Sequence, residues 1–241
     1  MRPHYSFLNK VLIAAIVLFI IYGLAIVAAQ YTLPYLSVIN KASFAQKNFI
    51  SKSYLLLFTV IAMLLFKRLF KIDYGLIMGT NLSYSTYLKK GVLFGLLGLL
   101  LVMICNIVGF VLTRQKPAGF PPEQLRDRIL FIWIWSSVVE ELLFRGFIQS
   151  YLETTSNHLF KIGKAVISGA VFFSALFFGA LHLFLLMQGM SVFFVAGIFA
   201  NAFLLGLVAG YYREKTGSLW PAIFLHIIFN LVGSIPLLLQ R

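Results

Sequence analysis

Seven runs of apolar side chains, at 11–29, 53–66, 91–112, 129–151, 165–187, 191–212 and 220–239, are separated by short stretches that carry most of the Lys and Arg residues. Coiled as α-helices, runs near 20 residues match the thickness of a bilayer's hydrocarbon core. The pattern predicts an all-α, polytopic transmembrane helical bundle of about seven to eight helices. No polar or low-complexity stretch is long enough to act as a linker, so 1–241 reads as a single integral membrane domain.

The connections carry their own signals. Val27-Ala28-Ala29 resembles a signal-peptidase site, but the run before it is long for a signal sequence, which predicts an uncleaved first span closed by Gln30 and Pro34. A loop with Lys41, Lys47 and Lys52 is expected next. Between 67 and 90, Lys67, Arg68, Lys71, Lys89 and Lys90 mingle with Phe70, Tyr74, Tyr84 and Tyr87, a mixture that suits a segment lying along the membrane interface. Gly91, Gly95, Gly98 and Gly109 give the third run a surface that other helices can approach closely, as do Gly206 and Gly210 in the sixth. The loop with Arg114, Lys116, Pro117, Gly119, Pro121 and Pro122 cannot be helical throughout. Gln188-Gly189-Met190 turns the fifth and sixth runs into an antiparallel hairpin. A small excess of basic residues places the N-terminus inside.

Composition fixes the class. The chain is 61% hydrophobic and 11% charged, with a mean hydropathy of +0.93, whereas about a quarter of a soluble domain is charged. A net charge of +13 would suggest nucleic acid in a soluble protein. Here the basic residues flank apolar runs and serve topology and contact with anionic membrane lipids, so no nucleic-acid partner is expected. Cys105 is the single cysteine, which excludes an intramolecular disulfide and a cysteine metal cluster.

One run breaks the pattern. Val139-Glu140-Glu141-Leu142-Leu143-Phe144-Arg145 places three charges inside the fourth span. The apolar side chains from 129 to 148 favour insertion by about 6 kcal/mol, while three unpaired charges cost about 8 to 10 kcal/mol. The charges therefore have to face other helices or a wet cavity, where ionisable groups mark function. Glu141 and Arg145 are four apart and share a face, so they can pair. Glu140 points about 100° away, is expected to lack a local partner, and suits a general base or acid.

Other polar residues lie within later runs. His182 follows Phe178 by four residues, and His226 precedes Asn230 by four, so each pair shares a helix face. Two hydrogen-bonding groups on one face suit a developing oxyanion. Asn106, Gln188 and Asn201 read as interhelical glue, and His4 and His158 fall in a tail and a polar loop. Three function classes accommodate this set: a hydrolase, a proton- or ion-coupled transporter, and a catalytically silent immunity or partner-binding protein. The chain shows neither duplicated halves nor matched pairs of broken spans, the expected pointers to many transporters.

In order and spacing, Glu140-Glu141-x-x-x-Arg145, Phe178-x-x-x-His182, His226-x-x-x-Asn230 and the link at 206–221 resemble the CAAX-protease and bacteriocin-processing family of intramembrane endopeptidases. The resemblance covers roughly 125–235, which it implies is the catalytic core, with 1–124 supplying N-terminal spans and the interfacial segment. It implies hydrolysis of a peptide bond in a peptide or lipidated protein substrate, in a bacterial cell membrane. Glu140 and His182 would activate water, His226 and Asn230 would stabilise the oxyanion, and Glu141, Arg145 and Phe178 would support them. No cofactor is implied. Two His and one Glu also make a known zinc set, so a zinc site of Glu140, His182 and His226 stays open as the alternative, although no His-Glu-x-x-His helix is present.

Overall fold

The computed structural model describes residues 5–35, 43–77, 83–114, 124–155, 159–162 and 165–238. Arg2, His4, Lys41, Lys116, Pro117, Gly119, Pro121, Pro122, His158, Lys164 and the end of the seventh run lie outside the described residues. Helices α1 (Phe7–Thr32), α2 (Phe44–Phe70) and α3 (Tyr84–Thr113) precede the charged helix α4, residues 125–153. A short antiparallel hairpin follows, β1 (Leu159–Ile162) and β2 (Ala165–Ser168), paired Leu159 to Ser168 and Ile162 to Ala165. Then come α5 (Gly169–Leu181), a tight turn at His182–Gln188, α6 (Val192–Thr216), α7 (Trp220–Gly233) and the single turn α8 (Ile235–Leu238).

This is an all-α bundle, as the apolar pattern predicts. Among the described residues five segments are long and apolar enough to cross a membrane: Phe7–Tyr35, Phe44–Phe70, Tyr84–Thr113, Gly169–Gln188 and Val192–Thr216. That is fewer than the seven spans expected. The charges of α4 remove it from the set, and α7 ends at Gly233 because the chain turns at Ser234. The fifth run also starts late, since residues 165–168 are strand and the side chain of Ser168 then caps α5 by accepting from the Val171 N–H at 3.2 Å.

α2 corrects the expected loop most. Ser43 and Gln46 form a reciprocal capping box that starts the helix at Phe44. Lys47 and Lys52 are therefore helical. In the segment expected at the interface, Lys67 and Arg68 finish α2, Lys89 and Lys90 belong to α3, and residues 71–77 after α2 pack partly inward. Ile72 and Tyr74 are buried, the Tyr74 hydroxyl donates to the Met63 carbonyl at 2.6 Å, and Leu219 N–H donates to the Gly75 carbonyl at 2.8 Å.

α4 is the axis of the bundle. Val139, Leu143, Phe144, Ile148 and Leu152 are fully buried on it. α2 runs parallel to it, from Gln46 beside Asp127, through Asn48 on Ser136, to Phe66 and Phe70 against Tyr151. α5, α6 and α7 close its other sides, and α3 lies outside α6 and α7. The glycines of α3 act as the sequence suggests. A Cβ on Gly91 would meet Ile228 at 2.9 Å, and one on Gly109 would meet Phe193 at 2.8 Å.

The Gly206 contact is tighter in kind, because a Cβ there would meet the Ala175 backbone Cα at 2.7 Å. Backbone cannot swing aside as a side chain can. Gly206→Ala is expected to push α5 off α6 and to destabilise the protein by about 1–3 kcal/mol. A fall in melting temperature in detergent micelles would register this, and an unchanged melting curve would refute it.

Candidate active site

Four buried polar residues, Ser137, Glu141, Arg145 and Gln149, lie one below another on α4. In a regular α-helix a four-residue repeat drifts by about 40° per step. α4 corrects the drift by alternating its winding. The segment Ser137–Glu141 is α-helical, while Arg128–Ser136 and Leu142–Gln149 are wound in wider π-type turns. Ser136 Oγ and Ser150 Oγ accordingly reach carbonyls five residues back, on Phe131 at 2.9 Å and Arg145 at 3.3 Å. Such widened turns recur at functional sites.

The stripe faces α7 and α6. Asn230 Nδ2 donates to Ser137 Oγ at 2.9 Å, His226 Nδ1 lies 2.7 Å from Glu141 Oε1, and Gln149 Nε2 donates to the Gly210 carbonyl at 3.1 Å. Further down, Glu153 pairs with Arg213 at 3.4 Å. The Glu141 to Arg145 ion pair read from the spacing is present at 3.0 Å, with both side chains fully buried. Arg145 Nε and Nη2 have no hydrogen-bond partner among the described residues, and the guanidinium lies 4.6 Å from the centre of the Phe178 ring. Stacking on that aromatic face compensates part of the burial.

Glu140 departs from its expectation. It is not without a partner: Lys52 of α2 forms an ion pair with its Oε1. Four-residue spacing reports only partners along α4, and this one comes from a different helix. On its far side Glu140 Oε2 lies 3.6 Å from His226 Nε2, within ion-pair range but long for a hydrogen bond. The Phe178 ring stands edge-on to both imidazoles, 5.2 Å from His182 and 5.5 Å from His226. The structure therefore gathers Glu140, His182, His226, Glu141, Arg145 and Phe178 into one cluster.

The histidine contacts fix which ring atoms are available. His182 Nδ1 lies 2.9 Å from the Phe178 carbonyl, which can only accept, so Nδ1 carries the hydrogen and Nε2 of the neutral ring is left as an acceptor. His226 Nδ1–H likewise donates to Glu141, leaving Nε2 toward Glu140. Asn230 sits one turn beyond His226, but its amide is used on α4, donating to Ser137 Oγ and, at 3.4 Å, to the Ile132 carbonyl.

Among the described residues no three His, Cys, Asp or Glu side chains form a group able to hold a metal ion, and the Lys52 cation occupies Glu140 Oε1. Lys52 and Tyr22, whose ring lies 5.7 Å from the Lys52 ammonium, are the residues that sequence reasoning missed. The Ser43-x-x-Gln46 capping box, read as a helix start, would have moved Lys52 out of the loop.

Fold and site together define a multi-pass integral membrane protein whose central helix holds a carboxylate and imidazole cluster inside the bundle. Residues 124–232 match the family model for type II CAAX prenyl endopeptidases, Rce1-like, which supports the resemblance read from the motifs. The match supports, at family level, a CAAX-type intramembrane protease. No curated protein and no solved structure matches the chain.

Proposed function

We propose that the protein hydrolyses a peptide bond of a membrane-associated peptide or lipidated protein by means of water activated by Glu140 and His182. The observation that carries this reading is the meeting of Glu140, His182 and His226, from α4, the end of α5 and α7, around the Phe178 ring. A charged carboxylate beside an acceptor nitrogen can take a proton from water as its oxygen attacks the scissile carbonyl carbon. The carbonyl oxygen then carries the negative charge. In its protonated state His226 offers Nε2–H to that oxygen, held in aim by Glu141 on Nδ1.

Collapse of the tetrahedral intermediate breaks the C–N bond, and the proton taken from water passes to the leaving amine. One product gains a carboxylate and the other an amine, with water consumed. In this reading Asn230 keeps α7 at a fixed distance from α4 through Ser137, and so places His226. A prenylated C-terminal segment is the substrate class that the family points to, and a bacterial cell membrane is the proposed location.

The test is a comparison of peptides in membranes from cells carrying the wild-type protein or Glu140→Ala. Wild-type membranes are expected to release at least one peptide that the variant membranes do not. Identical peptide sets, with both proteins inserted at equal levels, would overturn the reading.

A further inference from the structure

Lys52 lies outside residues 124–232, on a helix that the family match does not include, yet its ammonium contacts Glu140 directly. The contact is not incidental to a mobile surface chain. Lys52 and Glu140 are 14% and 11% exposed, so both are largely out of water. The Tyr22 ring of α1 backs the ammonium. Gln46 on Asp127 Oδ2 at 3.0 Å and Asn48 on Ser136 Oγ at 2.8 Å fix α2 in register along α4, so Lys52 arrives opposite Glu140 by the packing of whole helices.

The pairing splits the two carboxylate oxygens. Oε1 is held by Lys52, and Oε2 faces His226 Nε2. A carboxylate held at one oxygen cannot rotate freely about its last torsion, so the other oxygen keeps one direction toward the water it is to activate. Arg145 does not hold Glu140: its one carboxylate contact runs from Nη1 to Glu141 Oε1. Resting on the reading of Glu140 as the base, we propose that Lys52 is a positioning residue of the site: it orients Glu140 and makes α1 and α2 part of the catalytic unit.

A purely structural role would also put a cation beside Glu140, so the test must separate orientation from folding. The probe is a quenched fluorescent copy of the peptide released in a Glu140-dependent way, cleaved by the full-length protein in proteoliposomes. Lys52→Met is expected to lower kcat roughly 10- to 100-fold with KM little changed, the scale of loss that follows a misplaced reacting group. Lys52→Arg, which keeps the charge, is expected to recover most of that rate. Lys52→Gln, of similar length and still a donor, stands in where Lys52→Met does not fold, and is expected to lose kcat in the same direction.

Wild-type kcat in Lys52→Met or Lys52→Gln, with only a lower melting temperature, would overturn the proposal while leaving Glu140 as the base. A loss of kcat that Lys52→Arg does not recover would overturn it as well. Cleavage retained by Glu140→Gln, or no Glu140-dependent peptide at all, would instead remove the reading on which the proposal stands.

Discussion

Glu140→Gln is expected to lose about 10²- to 10⁴-fold in cleavage rate, the range that a general base contributes, while the protein remains inserted and folded. The amide keeps the size of the carboxylate and can still accept from Lys52 at its oxygen, so packing around α2 and α4 is preserved. What it removes is the proton acceptor beside His226 and His182. Rates measured in proteoliposomes, beside melting curves of the same preparations, separate the two effects. Cleavage within a few-fold of wild type would transfer the role of base to His182, whose Nε2 is the acceptor left by the Phe178 carbonyl contact.

The neighbouring glutamate is expected to behave in the opposite way. Glu141→Ala removes the acceptor for both Arg145 Nη1 and His226 Nδ1, and Arg145 is fully buried. Breaking one side of a buried ion pair costs about 3–5 kcal/mol, because the remaining charge has neither water nor a counter-charge. The variant should unfold at a markedly lower temperature in detergent, and its activity should fall with its stability. Adding Arg145→Met should restore much of the loss, since it removes the orphaned charge and leaves an apolar chain beside Phe178 and Phe144. A double variant no more stable than Glu141→Ala would show that Arg145 is not the source of the cost.

These two adjacent residues also mark how far the sequence could be read. Glu141 and Arg145 were legible because both partners lie on one helix, four residues apart, and helical geometry alone brings them together. The gathering of His182 and His226 near Glu140 rested on residue types and on a family resemblance. Lys52 was not legible. Its basic side chain, next to an apolar run, carries the same signal as a topology determinant, and only the packing of α2 along α4 shows otherwise. The apolar runs likewise mark helix interiors better than ends, since ends depend on caps and turns. Ser43 with Gln46 added a helical stretch before the second run, and Ser168 delayed the start of the fifth.

The polar stripe of α4 bears on how the protein is made as well as on how it works. Its partners emerge late: Gly210, His226 and Asn230 follow Gln149, Glu141 and Ser137 by 61, 85 and 93 residues. In chain order Lys52 precedes Glu140, whereas the partners on α6 and α7 come after the stripe is complete. Burial of α4 in its final environment is thus tied to the arrival of α6 and α7, the last long helices of the chain to be made.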